Sequence, residues 1–233
     1  MTGRCNVCGW SDRFLRLDRG REGTVCRNCG STSRDRAVAH AFARVLDEDQ
    51  AVFRWTYRLK TRLLDSGTRG SLAMYFRMKF DCRGTELPYD DETFDFVVAA
   101  DVFDRAGRDI EAIGEVQRVL KSGGYLVLTA PHDGDLIDVM RAPDFYAERI
   151  AVDVPEFGIA PQSVFVGRKD RPVALSPARA LRAGSTGPMI PFRLFVALKY
   201  GKHPFSPVRD FCPYNFVRGF PHLFRDARHA RSR

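Results

Sequence analysis

The sequence lacks a long hydrophobic run: no apolar stretch approaches the roughly 18–20 residues that a membrane-spanning helix requires. It also lacks the apolar core of a secretory signal near its first residues, so we expect cytoplasmic residence. There are no internal repeats. Hydrophobic residues make up 44% of the chain and charged residues 28%, which is ordinary for a globular protein. A length of 233 residues allows one medium-sized domain and a small additional module.

Negative charge is scarce in the C-terminal part of the chain. Residues 171–233 contain twelve Lys and Arg residues but only two acidic ones, Asp210 and Asp226, which gives this segment a net charge of +10. Because the whole chain carries +8, residues 1–170 sum to −2. The basic character therefore belongs to the C-terminal segment, and it does not identify the whole protein as a nucleic-acid binder.

Four of the six cysteines form two Cys-x-x-Cys pairs, Cys5 with Cys8 and Cys26 with Cys29, separated by seventeen residues. This spacing is typical of structural zinc sites. Four thiolates complete a tetrahedral shell and leave no position for substrate, so the predicted role of Zn²⁺ is structural. Disulfides and a redox-active Cys-x-x-Cys are the alternatives. A reducing compartment disfavours the former, and two pairs at this spacing are better explained together.

Changes in composition divide the chain into four parts. Residues 1–33 are polar and rich in cysteine, too poor in apolar residues to fold without a metal, and predict a zinc ribbon. Residues 34–60 are expected to be a connecting helix and linker, because apolar residues recur there at helical spacing. Residues 61–170 alternate between strand-like and helix-like stretches, which predicts an α/β domain. Residues 171–233 are a basic extension rich in aromatic residues.

Elements within the α/β region can be placed from hydrophobic pattern and turn residues. The predicted strands are Leu63–Asp65, Phe94–Ala100, Tyr125–Ala130, Arg149–Val154 and Ser163–Arg168, and the predicted helices are Ser71–Lys79 and Arg108–Leu120. Phe94–Ala100 is a continuous apolar run, as expected of a buried parallel strand. The segment Lys121–Gly124 is predicted to be the turn that follows the second helix. The last two strands are expected to form a hairpin at the edge of the sheet.

Two blocks of sequence carry a family resemblance. Residues 87–104 read LPYDDETFDFVVAADVFD, and residues 115–131 read EVQRVLKSGGYLVLTAP. They resemble class I S-adenosylmethionine (SAM) dependent methyltransferases of type 11, in which "LPF-x-D-x-x-FD-x-V" builds the fourth strand and "RVLKPGG" precedes the fifth. An N-terminal ribbon followed by Ser-Arg-Asp-Arg is similar to a subgroup of these enzymes. The resemblance covers about residues 1–135 and implies a Rossmann-like sheet, SAM as cofactor and methyltransferase activity.

The resemblance also implies which residues hold SAM. The segment Asp65-Ser66-Gly67-Thr68-Arg69-Gly70 corresponds to the glycine-rich turn after the first strand. Its glycines would let the backbone approach the methionine part of SAM. Asp65, Gly67 and Gly70 are therefore candidate cofactor-binding residues, and Asp101, which follows the fourth strand, is another.

The segment between Gly70 and Leu87 is short. Its sixteen residues must supply a helix and strand and, in the family, a further helix and strand. One crossover needs about 10–12 residues, so only one fits and we predict a shortened sheet that lacks one strand–helix unit. Asp81 or Glu86 would stand in for the acid that binds the ribose. Arg83 aligns with the acid that the family places near the adenine.

Asp101 and His132 are the candidate catalytic residues, because each follows a predicted parallel strand where its side chain could line the pocket. The alternatives are a capping or solvated loop acid for Asp101 and an ordinary surface histidine for His132. The Glu-His pair of the family is replaced here by Asp104 and Arg105. Methyl transfer from a sulfonium depends on alignment and proximity more than on a strong base, so the lack of an obvious base does not exclude activity.

Two functions follow from these observations. The first is a SAM-dependent methyltransferase that acts on a small-molecule or sugar acceptor, with a ribbon that recognises or caps the substrate. The second is a non-catalytic scaffold of the same fold that binds a partner or nucleic acid through its ribbon and tail. Residues 189–224 interleave aromatic residues with Arg and Lys. They could stack on bases, rest on an anionic membrane surface, or pack on the domain.

Overall fold

The computed structural model describes residues 2–16, 23–84, 89–100, 106–130, 136–141 and 144–181. Its strands are β1 Thr2–Arg4, β2 Ser11–Arg13, β3 Leu15–Arg16, β4 Thr24–Val25, β5 Arg58–Ser66, β6 Phe80–Arg83, β7 Phe94–Ala100, β8 Leu120–Thr129, β9 Phe145–Val154 and β10 Ile159–Lys169. Its α-helices are α1 Ser33–Leu46, α2 Gly70–Lys79, α3 Ala106–Val119 and α4 Leu136–Met140. None of these helices is long and apolar enough to cross a membrane. The residues of the basic tail from 182 onward lie outside this description.

The central sheet has six strands in the order β6-β5-β7-β8-β10-β9. Strands β6, β5, β7 and β8 are parallel, whereas β10 runs antiparallel to both β8 and β9. The expected α/β, Rossmann-like sheet is therefore confirmed, and so is the hairpin at its edge. The predicted shortening is also present, because α2 and β6 are the only elements between β5 and β7 in the part of the chain that the structure describes.

The predicted turn at Lys121–Gly124 is instead part of β8. The partner of Phe94 in β8 is Leu120, but the partner of Phe96 is Tyr125, so β8 carries extra residues at this point. Gly123 has a φ of +74°, in the left-handed region that favours glycine. The two glycines read as a helix stop in the sequence therefore form a bulge within the strand.

Helices cover both faces of the sheet. Helices α1 and α2 lie on one face in the larger hydrophobic cluster, and α3 and α4 lie on the other. Helix α1 begins with a capping box: the Thr32 hydroxyl accepts a hydrogen bond from the Asp35 amide, and the Asp35 carboxylate accepts one from the Thr32 amide. This reciprocal pair fixes the point at which the chain leaves the N-terminal module and enters the helix.

The N-terminal module consists of two short hairpins, β1–β2 and β3–β4. Its residues Cys5 and Val7 belong to the same buried cluster as Phe42 and Trp55, so the module and the sheet share one hydrophobic core.

This module lies near the edge of the sheet at which the parallel strands end, which we call the carboxyl edge. The side chain of Ser33, at the start of α1, accepts hydrogen bonds from the Ala160 amide at 2.9 Å and the Gln162 amide group at 3.1 Å. Both partners are at the start of β10. Since β10 runs antiparallel to β8, its first residues are at the carboxyl edge. The start of α1 is therefore beside the region where ligands bind in open α/β sheets.

Residues 171–181 run back across α1 after β10. Arg44 Nε donates to the Ser176 carbonyl at 2.8 Å, and the Ser176 amide donates to the Arg44 carbonyl at 3.1 Å. Arg179 forms an ion pair with Asp47 at 3.1 Å. Leu181 then lines a surface cavity together with residues of β1 and β2, so this segment returns the chain to the N-terminal module.

An aromatic cluster holds α1 and α2 on the sheet. The Phe42 ring lies 5.8 Å from Trp55, 5.5 Å from Phe76, 5.8 Å from Phe80 and 5.2 Å from Phe96, measured between ring centroids. Because these partners come from different elements, Phe42 joins the helical layer to the strands.

We predict that Phe42→Ala lowers the free energy of unfolding by about 3–5 kcal/mol, because it removes a fully buried ring and leaves a cavity. Urea denaturation followed by circular dichroism measures this change. Tyr146→Ala is the matched control, since the Tyr146 side chain on β9 is 45% exposed and its removal should change stability by less than about 1 kcal/mol. Equal losses in the two variants would contradict this description of the core.

Candidate metal centre and cofactor site

The four cysteines of the two Cys-x-x-Cys pairs come together as predicted. All four are buried, and their sulfur atoms lie within 4.8 Å of one another. Cys5 Sγ is 3.8 Å from Cys29 Sγ, and Cys8 Sγ is 3.8 Å from Cys26 Sγ. A tetrahedral zinc ion with Zn–S bonds of about 2.3 Å separates its sulfur ligands by about 3.8 Å. The donor set and its spacing therefore fit Zn²⁺.

Each pair is folded into the same tight turn. The Gly9 amide donates to the Cys5 carbonyl at 2.7 Å, and the Gly30 amide donates to the Cys26 carbonyl at 2.9 Å. Both glycines have a φ of +74°, which a residue with a side chain adopts only at a cost. The glycine after each second cysteine thus permits the two turns that direct the thiol groups toward one centre.

Arg36 is a fully buried cation in this region that the sequence patterns did not reveal. Its Nη2 donates to the Thr24 carbonyl at 3.0 Å, to the Thr24 hydroxyl at 2.5 Å and to the Gly158 carbonyl at 2.8 Å. Its Nη1 donates to the Ser31 carbonyl, and the guanidinium lies 4.5 Å from the centroid of the Phe14 ring. A single side chain therefore joins the N-terminal module to the turn between β9 and β10.

The glycine-rich turn follows β5 at the carboxyl edge. Asp65 is buried, and its carboxylate accepts hydrogen bonds from the Thr68 amide at 3.3 Å and the Thr68 hydroxyl at 2.5 Å. Burial raises the pKa of Asp65 to about 6, although the hydrogen bonds from Thr68 act in the opposite direction. Gly67 has a φ of +97° and Gly70 a φ of +56°. The structure thus brings Asp65, Gly67 and Gly70 together in one turn.

The start of α2 adds a polar group that was not among the predicted site residues. Arg69 is the N-cap residue of α2 but makes no side-chain capping bond. Ser71, in the first turn, is fully buried, and its hydroxyl has no hydrogen-bond partner among the described residues. Free amides at a helix N-terminus attract negative charge. A hydroxyl directly after a glycine-rich turn was the signal in the sequence that could have identified Ser71.

Asp81, a candidate for the ribose-binding acid, lies in the edge strand β6. Its carboxylate is 3.1 Å from the Arg83 guanidinium and 3.8 Å from that of Arg62. Arg83 is the last residue of β6, so a cation occupies the position nearest the carboxyl edge on this strand. The structure therefore places Asp81 on the strand next to the glycine-rich turn, but in contact with two arginines.

Three predicted site residues lie outside the described part of the chain: Glu86, Asp101 and His132. Strands β7 and β8 end at Ala100 and Thr129, so the described structure stops close to the last two of these positions. Their roles stay predictions.

Comparison with solved structures gives matches of low identity. The N-methyltransferase NodS from Bradyrhizobium japonicum WM9, in complex with S-adenosyl-L-homocysteine, has 11% identity and a TM-score of 0.43, covering 60% of this chain and 88% of its own. Geranyl diphosphate C-methyltransferase from Streptomyces coelicolor A3(2) has 11% identity and a TM-score of 0.41, covering 58% and 78%. The cyclase SpnF has 18% identity and a TM-score of 0.40, covering 60% and 81%. At these levels the matches carry no argument about activity.

Comparison of sequences gives one match. No functionally curated protein is significantly similar to this chain. Residues 66–128, however, match a sequence family described as "Methyltransferase domain". This region runs from the end of β5, through the glycine-rich turn, to β8. The match therefore includes the candidate cofactor turn from Ser66 onward, together with α2, β6, β7 and α3.

Proposed function

We propose that this protein is a SAM-dependent methyltransferase with a structural zinc ribbon. The observation that carries the proposal is the family match over residues 66–128, which begins at the glycine-rich turn. The sheet order supports it. From β5 the chain passes first to β6 on one side and then to β7 on the other. Open α/β sheets bind ligands at such a reversal, at the carboxyl ends of the strands.

The residues of the turn fit a ligand that carries a carboxylate. Gly67 and Gly70 would let the backbone approach SAM, and the uncapped amides of α2 with the unpartnered Ser71 hydroxyl would hold its carboxylate. Asp65 holds the turn in shape through Thr68. SAM, when bound, supplies a methyl group on a sulfonium sulfur. The contribution of the protein is then to align the acceptor with that methyl group.

The acceptor side of the site is expected at the carboxyl edge beside the ribbon. The start of α1 and the turn between β9 and β10 both lie at this edge, and Arg36 ties the ribbon to that turn. A small-molecule or sugar acceptor would enter there, where Asp101 and His132 are the proposed catalytic groups. Asp81, Glu86 and Asp101 remain the proposed acids on the cofactor side.

Titration of the purified protein with SAM in a calorimeter tests this function. We predict one SAM per chain and about 5–30-fold weaker binding by Gly67→Ala, because a side chain at a φ of +97° costs about 1–2 kcal/mol and shifts the turn away from this conformation. Gly114→Ala is the matched control. Gly114 lies within α3, and an added Cβ there would meet no atom within 4 Å, so this variant should bind SAM as the natural sequence does. If no binding is detected at millimolar SAM, the proposed SAM-dependent activity is wrong.

Asp65 should make stability depend on pH. Because its pKa is raised from 3.8 to about 6, the folded protein keeps a proton that the unfolded chain releases between about pH 4 and pH 6. The stability that Asp65 contributes is complete below pH 4 and is lost as the pH rises through 6. Asp65→Asn removes this dependence.

We therefore predict that Asp65→Asn gains up to about 3 kcal/mol of unfolding free energy relative to the natural sequence between pH 4 and pH 7. Urea denaturation of both proteins at the two pH values measures the difference. The pKa of Asp35, which burial also raises to about 6, is common to both proteins and cancels. A difference that is the same at both pH values would show that folding does not raise the pKa of Asp65.

The zinc assignment predicts one Zn²⁺ per chain, held by the four-cysteine cluster. Cys26→Ser should lose most of the metal and melt at a lower temperature, because the binding energy of a structural zinc is also folding energy. Cys82→Ser is the matched control, since Cys82 is a half-buried free cysteine outside the cluster. Inductively coupled plasma mass spectrometry measures the zinc content of the two variants. Full zinc occupancy in Cys26→Ser, or metal-free protein with oxidised cysteines, would refute the assignment.

A further inference from the structure

A zinc ion held by four thiolates has a net charge of −2, and this centre is buried. The four cysteines are each 5% exposed or less. A buried charge is costly unless an opposite charge and hydrogen bonds compensate it. Arg36, fully buried beside the ribbon, supplies a positive charge close to the cysteine cluster.

Ser31 links this cation to the sulfur atoms. Its hydroxyl oxygen lies 3.3 Å from Cys5 Sγ and 3.2 Å from Cys29 Sγ. Arg36 Nη1 lies 3.5 Å from the same hydroxyl and also donates to the Ser31 carbonyl. A zinc-bound thiolate can only accept a hydrogen bond, and a guanidinium can only donate one. The hydroxyl therefore accepts a hydrogen bond from Arg36 and donates one to a sulfur atom. This relay connects the guanidinium to the metal ligands.

We propose that Arg36, acting through the Ser31 hydroxyl, is the outer-shell cation of the zinc centre and stabilises its thiolate charge. Arg36 is a positioning residue rather than a ligand. The inference rests on the zinc assignment proposed above and adds to it a residue outside the four ligands. Partners of this kind typically change metal affinity by about 10–100-fold.

A purely structural role for Arg36 is the competing explanation, because its Nη2 also joins Thr24 to Gly158. Thr24→Val weakens this structural connection, although the bonds of Arg36 to the Thr24 and Gly158 carbonyls remain. This substitution removes the Thr24 hydroxyl, which accepts from Arg36 and donates to the Gly158 carbonyl at 2.7 Å. It leaves both the guanidinium charge and the Ser31 hydroxyl beside the sulfur atoms.

The test is zinc affinity, measured on the full-length folded protein by competition with a chromogenic chelator. We predict about 10–100-fold weaker zinc binding by Arg36→Met, weaker binding by Ser31→Ala, and no more than about threefold weaker binding by Thr24→Val. Arg36→Lys should recover part of the affinity lost in Arg36→Met, because it restores the charge without the planar fork. Arg16→Met, which removes an exposed arginine of β3, should leave zinc affinity unchanged.

Equal losses in Arg36→Met and Thr24→Val would overturn the proposal in favour of a purely structural role. Unchanged affinity in Ser31→Ala would overturn it as well, and this comparison stands even if Arg36→Met does not fold. A protein of natural sequence that binds no zinc would refute the zinc assignment itself. Zinc bound by the natural sequence and equally by Arg36→Met would refute only the role of Arg36.

Discussion

The hydrogen bonds of the buried Arg36 guanidinium are the interaction on which the position of the N-terminal module depends. It donates to Thr24 and Ser31 in the N-terminal module and to Gly158 in the turn between β9 and β10. Residues far apart in the sequence are therefore held by one side chain that water does not reach. A buried guanidinium needs hydrogen-bond acceptors for most of its N–H groups. If the N-terminal module moved away from the turn at Gly158, some of these N–H groups and carbonyls would be left without partners. The N-terminal module is thus held against the turn between β9 and β10.

This fixed position has a consequence for function. The glycine-rich turn lies after β5, where the strand order reverses, and the ribbon lies near the same carboxyl edge on the side of β10. A cofactor bound in that turn, as proposed, would therefore have the N-terminal module with its four-cysteine cluster close to the proposed acceptor side. A module held in this position would help to align the acceptor with the methyl group, which is what the proposed reaction requires. The shortened sheet leaves the opposite edge to β6, whose last residue is Arg83.

Local sequence patterns predicted those features that local interactions determine. The apolar run Phe94–Ala100 is a strand with the predicted bounds, and the spacing of the cysteines predicted their cluster. The short segment after Gly70 predicted a missing strand–helix unit. The sequence did not predict the bulge at Gly123, because the same residues also fit a helix stop. Nor did it predict the burial of Arg36, which depends on Gly158, 122 residues away in the sequence.

The central claim is that the ribbon and the sheet form one cooperative unit through their shared core and Arg36. Hydrogen exchange with and without a strong zinc chelator tests it most directly, with the amides of residues 156–158 and of the start of α1 as reporters. We predict that metal removal speeds exchange in the ribbon, in residues 156–158 and at the start of α1 together, since these segments share the same buried contacts. Faster exchange confined to the ribbon, with unchanged protection around Gly158, would contradict it.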